Sequence, residues 1–302
     1  MKDKQPSFDL AAYMAERARA VDDALGRFLP AESAPPETLH KAMRYSVFAG
    51  GKRLRPVFVI AGAEAMGGRM DEVMQTACAV EMIHTYSLIH DDLPAMDNDD
   101  FRRGVPTNHK VFGEAIAILA GDALLTLAFR LLADNFAAGS DAHALRNVLI
   151  EIADAAGSAG MVGGQVADIE SEGKRVGAET VDYIHTHKTA ALIRASIRAG
   201  AMLAGATPSQ LVALGLAGGN LGLAFQIMDD ILDVTATSEE LGKTAGKDQA
   251  QQKATYPAVH GLEVSRIHAK ALVGEAHAAL QSFGPRAEPL RALGTFIVER
   301  KA

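Results

Sequence analysis

Two groups of carboxylates carry the chemistry legible in this chain. The first is Asp91-Asp92-Leu93-Pro94-Ala95-Met96-Asp97-Asn98-Asp99-Asp100, with five carboxylates in ten residues. In the second, Gln226, Asp229, Asp230 and Asp233 fall at i, i+3, i+4 and i+7, one stripe of an otherwise apolar helix. Aspartates are seldom buried unless paired or metal-bound, and like charges on one stripe repel. A divalent cation relieves that repulsion; the plainer alternative is a solvated helix end or an acidic loop. With no cysteine pair and no histidine pair at metal spacing, the donors are oxygens, which suits a hard ion such as Mg²⁺. Mg²⁺ is commonly held by one or two carboxylates plus substrate phosphates, so two facing groups predict a phosphorylated substrate between them. His84 lies seven residues before Asp91 and on its face. Pro94 ends or kinks the helix leading into the first group, and that break lets Asp97 swing round to the metal.

A phosphorylated substrate needs cations, and the chain supplies them in small groups. Gly50-Gly51-Lys52-Arg53-Leu54-Arg55-Pro56 joins two helices, with glycines for close backbone approach and with Lys52 and Arg55 facing one way. It lacks the spacing and the Ser/Thr of a Walker A loop. Arg102 and Arg103 follow the acidic run, and Lys188-Thr189 interrupts a long apolar helix. Lys243, Lys247 and Lys253 dot the polar stretch Thr235–Lys253. Each alone reads as a surface charge; their placement beside the carboxylates argues for a site. No Ser-His-Asp arrangement is evident.

The elements that must position these residues are helices. Ala, Leu and Gly dominate, Trp is absent and alternating strand-like runs are few, which disfavours a β-sandwich or barrel. Helical periods run over 9–28, 37–49, 54–66, 71–93, 108–119, 121–136, 141–156, 178–204, 208–233 and 255–282. Thr207 before Pro208 suits a helix start, and 235–253 reads as a long functional or disordered loop. The expectation is one all-α domain over residues 1–302. Hydrophobic residues make up 48%, enough for a large core. A net charge of −7 disfavours a nucleic-acid partner. The lone Cys78 excludes an internal disulfide and points to a reducing compartment, hence a cytoplasmic protein. The first twenty residues mix charges and lack an apolar core, so no signal peptide is expected. Leu211–Met228, interrupted by Asn220 and Gln226 and ending on Asp229 and Asp230, reads as a buried core helix rather than a membrane span.

Taken together, GGKRLRP at 50–56, IHTYSLIHDDLPAMDNDDFRRG at 83–104, GGQVADIE at 163–170, HKTAAL at 187–192, FQIMDDILD at 225–233 and GKTAGKD at 242–248 resemble the trans-prenyltransferases, or polyprenyl diphosphate synthases. The likeness spans roughly residues 40–260 and is nearest to the farnesyl diphosphate synthases of bacteria. It implies an all-α isoprenoid synthase bundle around a deep central cavity, usually a homodimer, with no nucleic-acid partner. The implied reaction is a Mg²⁺-dependent condensation of isopentenyl diphosphate with dimethylallyl or geranyl diphosphate. It further implies that Asp91, Asp92, Asp97, Asp229 and Asp233 are the Mg²⁺ ligands. Lys52, Arg55, His84 and Arg103 match isopentenyl diphosphate positions. Arg102, Lys188, Thr189, Gln226, Lys243 and Lys253 match positions around the allylic diphosphate, and Lys188, Thr189, Gln226 and Arg102 would act in catalysis. One extra residue separates Lys243 from Lys253 relative to some relatives. His90 and Asp99 receive no role. A helical wheel nominates Ser87, one turn below Asp91, as the floor that limits product length; the resemblance favours Tyr86, whose aromatic ring matches the C15 pattern. The alternatives are a C20 geranylgeranyl synthase, a terpene cyclase and a non-catalytic partner subunit of the same fold.

Overall fold

The computed structural model describes residues 8–135, 141–235 and 255–300. Helices α1 (Leu10–Phe28), α2 (Glu37–Val47), α3 (Leu54–Ala65) and α4 (Met74–Asp91) come first. A two-strand hairpin, β1 (Phe101–Arg102) with β2 (Val105–Pro106), follows them. Next are α5 (Asn108–Phe112), α6 (Glu114–Asp134), α7 (Ala142–Ala156), α8 (Met161–Ser171) and α9 (Ala178–Ile184). A π-helical turn, His185–Ala190, leads into α10 (Ala191–Leu203). The chain ends with α11 (Pro208–Thr235), α12 (Tyr256–His260), α13 (Leu262–Ala279) and α14 (Glu288–Glu299).

Helices α3 and α10 form the spine, because small residues let their backbones touch. A Cβ on Gly62 would overlap the carbonyl of Ile197, and one on Gly200 the carbonyl of Val59. Apolar side chains spread from this contact in two directions. On one side Val59, Ile60 and Leu192 join Met82, Ile83, Leu124 and Ile152 of α4, α6 and α7. On the other, Phe58, Ile193 and Ile197 join Leu221, Ile227, Leu272 and Leu293 of α11, α13 and α14. Each such side chain contributes about 1.5–3 kcal/mol when fully buried. That fixes how α4 and α11 rotate, and hence where their acidic ends lie.

Both α6 and α11 are long and apolar enough to cross a membrane by length and composition. In this bundle α11 packs against α10 and α13, and it buries Asn220, Asp230 and Asp233, which hydrocarbon would penalise. Thr207 caps its start as expected, with its backbone N–H donating to Gln210 Oε1 at 2.8 Å.

Several boundaries differ from the sequence reading. The break expected near residue 120 lies at Gly113, with φ 83°, while Gly121 stays inside α6 because the His90 ring packs against it. Gly261, with φ 81°, likewise divides the expected 255–282 helix into α12 and α13. The expected 178–204 helix contains the π-turn. Helix α8 escaped the periodicity because Gly163 and Gly164 dilute it, and α14 and the hairpin were not anticipated. The 235–253 loop lies outside the described residues apart from Thr235.

Candidate active site

Helix α4 stops at Asp91, two residues before Leu93-Pro94, and the chain then folds back on it. Asp97 N–H donates to the Asp91 carbonyl at 2.8 Å, and Asp99 N–H to that of Asp92 at 3.2 Å. The break at Pro94 thus brings Asp97 beside Asp91. Arg103 at φ 54° and Gly104 at φ 79° turn the hairpin, returning Arg102 to the same place. Arg102 grips Asp92 Oδ1 through Nε at 2.7 Å and Nη2 at 2.6 Å, and lies 3.6 Å from Asp99. Burial pushes the Asp91 carboxyl up to about 6, with Asp97 and Asp92 adding repulsion and Lys188 and Arg102 opposing it. Burial also raises Asp92.

The glycine-led loop lies beside this end of α4. Gly51, at φ +123°, has the Arg103 guanidinium directly over it, and Arg103 donates to the Gly50 carbonyl. Only a residue without a Cβ permits that approach. Burial pulls Arg55 down to about 10, against the pull of Glu81 on α4 and Asp229 on α11. Burial also lowers Lys52, as does Arg300 nearby, while Asp229 opposes the shift. Asp229 is thus within electrostatic reach of both Arg55 and Lys52. His84 is held well below its usual range by burial and by Arg55, Arg103, Arg102 and Arg53 around it, so it is neutral at pH 7.

The third wall is the π-turn against α8 and α11. Widening the helix by one residue brings Lys188 and Thr189 to two different partners. Lys188 Nζ donates to Asp168 Oδ2 at 2.6 Å, and its charge reaches Asp91. Thr189 Oγ1 donates to Gln226 Oε1 at 2.7 Å, and Gln226 Nε2 to Asp230 Oδ1 at 2.9 Å. Asp230 Oδ2 also accepts from the Tyr256 N–H at 2.8 Å and lies 3.1 Å from His185 Nε2. The stripe read on α11 is therefore divided. Asp230 and Asp233 are buried, whereas Asp229 turns to Arg300 Nη2 at 2.5 Å.

Arg102, Arg103, Lys52, Arg55, His84, Lys188, Thr189, Gln226 and the five aspartates named from sequence thus come from α3 and the loop before it, α4 and the segment after it, the hairpin, the π-turn and α11. Lys243 and Lys253 lie outside the described residues. Among the described residues, no three carboxylate, imidazole or thiol groups converge at metal distance; Asp92 and Asp229 instead hold arginines. The donors are nonetheless all carboxylate oxygens, with Asp97 and Asp92 repelling a buried Asp91, a set that fits hard divalent cations. Tyr86 is buried one helical turn from His90, ring edge to face at 5.7 Å between centroids. Ser87 is half-buried and donates to the His84 carbonyl. His90, without a role from sequence, meets the Ile118 carbonyl at 3.0 Å.

Sequence reasoning missed Asp168, His185, Glu81, Arg300 and Tyr256. Asp168 stands in GGQVADIE, and Glu81 is a lone acid in the apolar part of α4, one turn before His84. Both are signals of the kind that marked Lys188. Arg300 is 71 residues from Asp229, with no local cue.

A family model described as polyprenyl synthetase matches residues 36–282. The dimethylallyltranstransferase of Fischerella ambigua is 50% identical over 98% of this chain and 85% of its own. The geranylgeranyl diphosphate synthase of Cyanophora paradoxa is 47% identical over 99% of both chains. A solved FPP/GFPP synthase from Zymomonas mobilis superposes with a TM-score of 0.85 at 38% identity, covering 96% of this chain and 98% of its own. The all-α bundle is thus the isoprenoid synthase fold, and the chain belongs to the polyprenyl synthetase family, the trans-prenyltransferases, as a prenyl diphosphate synthase.

Proposed function

We propose that this prenyltransferase makes the C15 product, farnesyl diphosphate, from isopentenyl diphosphate and dimethylallyl or geranyl diphosphate. The observation that carries this reading is Tyr86, an aromatic ring buried on α4 five residues before Asp91. A prenyl chain growing down this helix meets a floor there, whereas a small residue leaves room for C20.

Asp91, Asp92, Asp97, Asp229 and Asp233 would hold Mg²⁺, which when bound supplies positive charge to the allylic diphosphate. Arg102 and Lys188 add cationic hydrogen-bond donors for that diphosphate as it departs, so the allylic C–O bond ionises. Lys52, Arg55 and Arg103 hold the diphosphate of the second substrate, with neutral His84 as a hydrogen-bonding partner. Its double bond attacks the allylic cation, forming the new C–C bond, and a proton leaves to the released diphosphate. Thr189 and Gln226 turn dipoles toward the cation, and the apolar walls exclude water. No protein nucleophile is needed. A homodimer in the cytoplasm completes the proposal, resting on the family resemblance and on the single cysteine.

A second reading, a C20 synthase, is favoured by the 47% identity to a relative named geranylgeranyl diphosphate synthase. A terpene cyclase fits less well, because the set Lys52, Arg55 and His84 suits a second diphosphate. The test is a product assay with isopentenyl diphosphate and either starter, with Mg²⁺ or EDTA. A Mg²⁺-dependent C15 product supports the first reading, a C20 product the second, and absence of elongation rejects both.

A further inference from the structure

Arg53, between Lys52 and Arg55, sits in the left-handed region at φ 48°, where side chains other than Gly, Asn and Asp are uncommon. Its side chain is only 3% exposed, and it ties three helices to the loop. Nε donates to Asp22 Oδ1 of α1 at 2.7 Å, Nη1 to Glu81 Oε1 of α4 at 2.9 Å, and Nη2 to the Val47 carbonyl ending α2 at 2.6 Å. Glu81 is itself buried, 1% exposed, and its charge also reaches Arg55 and Arg103. One carboxylate therefore underlies three arginines that would otherwise repel one another.

We propose that Arg53, clamped by Glu81 and Asp22, is a positioning residue that shapes the isopentenyl diphosphate pocket without touching the substrate. This rests on the assignment of that pocket to Lys52, Arg55, His84 and Arg103. The clamp holds the left-handed corner from which α3 starts, so Lys52 leaves the loop on one side of Arg53 and Arg55 on the other. Glu81 lies three residues before His84 on α4, so the same contact sets the loop against the His84 face. A buried ion pair is weak evidence for stability, but it imposes one geometry on the groups it joins. The allylic subsite is built from Arg102 of the hairpin, the π-turn and α11, and the hydrogen bonds of Arg53 go to Asp22, Glu81 and the Gly50 and Val47 carbonyls instead. The effect is therefore selective for one substrate.

The test compares the wild type with Arg53→Met, Arg53→Lys and Glu81→Gln. Isopentenyl diphosphate binding is measured by calorimetry, and KM for each substrate by steady-state kinetics. Arg53→Met is expected to raise Kd and KM for isopentenyl diphosphate by about tenfold or more, with KM for geranyl diphosphate within about twofold. Arg53→Lys is expected to restore part of the loss, because it keeps the charge and one of the three contacts. Should Arg53→Met fail to fold, Arg53→Lys and Glu81→Gln are expected to show the same selective rise. Unchanged KM values with only a lower melting temperature, or an equal rise for both substrates, overturn the clamp. Wild-type protein that does not bind isopentenyl diphosphate overturns the pocket assignment and the clamp together, before any variant is compared.

Discussion

Thr189 on the π-turn donates to Gln226 on α11 at 2.7 Å, joining residues 37 apart in sequence. Gln226 is held in turn by Asp230, so the π-turn that presents Lys188 is locked to the helix that carries the second acidic group. Gln226→Leu breaks this chain and leaves the Asp230 carboxylate without that donor. The expected result is a kcat lower by about 10- to 100-fold, which is about 1.4–2.7 kcal/mol of transition-state stabilisation. KM for isopentenyl diphosphate should change little, since Lys52 and Arg55 are untouched. Steady-state kinetics with each substrate varied decides it.

Tyr86→Ala removes the proposed floor. Products are expected to shift from C15 toward C20 and longer when sized by chromatography. Emptying a buried aromatic site also costs about 3–5 kcal/mol by analogy with other core aromatics, so the melting temperature should fall too. A destabilised variant that still stops at C15 would reject Tyr86 as the floor.

Gly51→Ala sets a Cβ against the Arg103 guanidinium and forces a side chain into φ +123°. The strain is of order 1–3 kcal/mol. Relief by moving the loop or Arg103 should raise KM for isopentenyl diphosphate more than KM for the allylic substrate. The same kinetic comparison, with a thermal melt, checks both parts.

His84 gives a pH signature. Its folded-state pKa is lowered, so between that value and its ordinary 6.5 the unfolded chain binds more protons than the native one. Its contribution to stability is complete above about 6.5 and is lost as pH falls below it. Thermal melts from pH 7 to pH 5 should therefore fall more steeply in wild type than in His84→Gln. Equal slopes would contradict the neutral, arginine-ringed His84.

Cation dependence has its own readout. Mg²⁺ and inorganic diphosphate together are expected to raise the melting temperature more than the sum of either alone, because each fills part of the other's site. EDTA should cancel the effect, and Asp91→Asn should reduce it. Additive shifts would argue against a shared site.

The acidic motifs, Lys52, Arg55 and Lys188 were legible because each breaks a local rule: a carboxylate stripe on an apolar helix, cations beside glycines, a lysine in an apolar run. The end of α4 was legible too, since proline forbids its continuation. Helix α8 was hidden by Gly163 and Gly164, although their small size is what lets α8 approach the π-turn: a Cβ on Gly164 would overlap the Lys188 backbone.

By itself, the sequence determined the helical class, the two carboxylate groups and the cations near them in the chain, because these follow from local periodicity and composition. Only the tertiary structure decided what each charge faces. Asp229 and Asp230 are neighbours in sequence, yet one meets Arg300 and the other His185 and the Tyr256 amide. The tight crossing of α3 and α10, and the two apolar cores on either side of it, set the rotation of α11 and so choose those partners. Packing over the whole chain fixes that rotation, and no local stretch of sequence contains it.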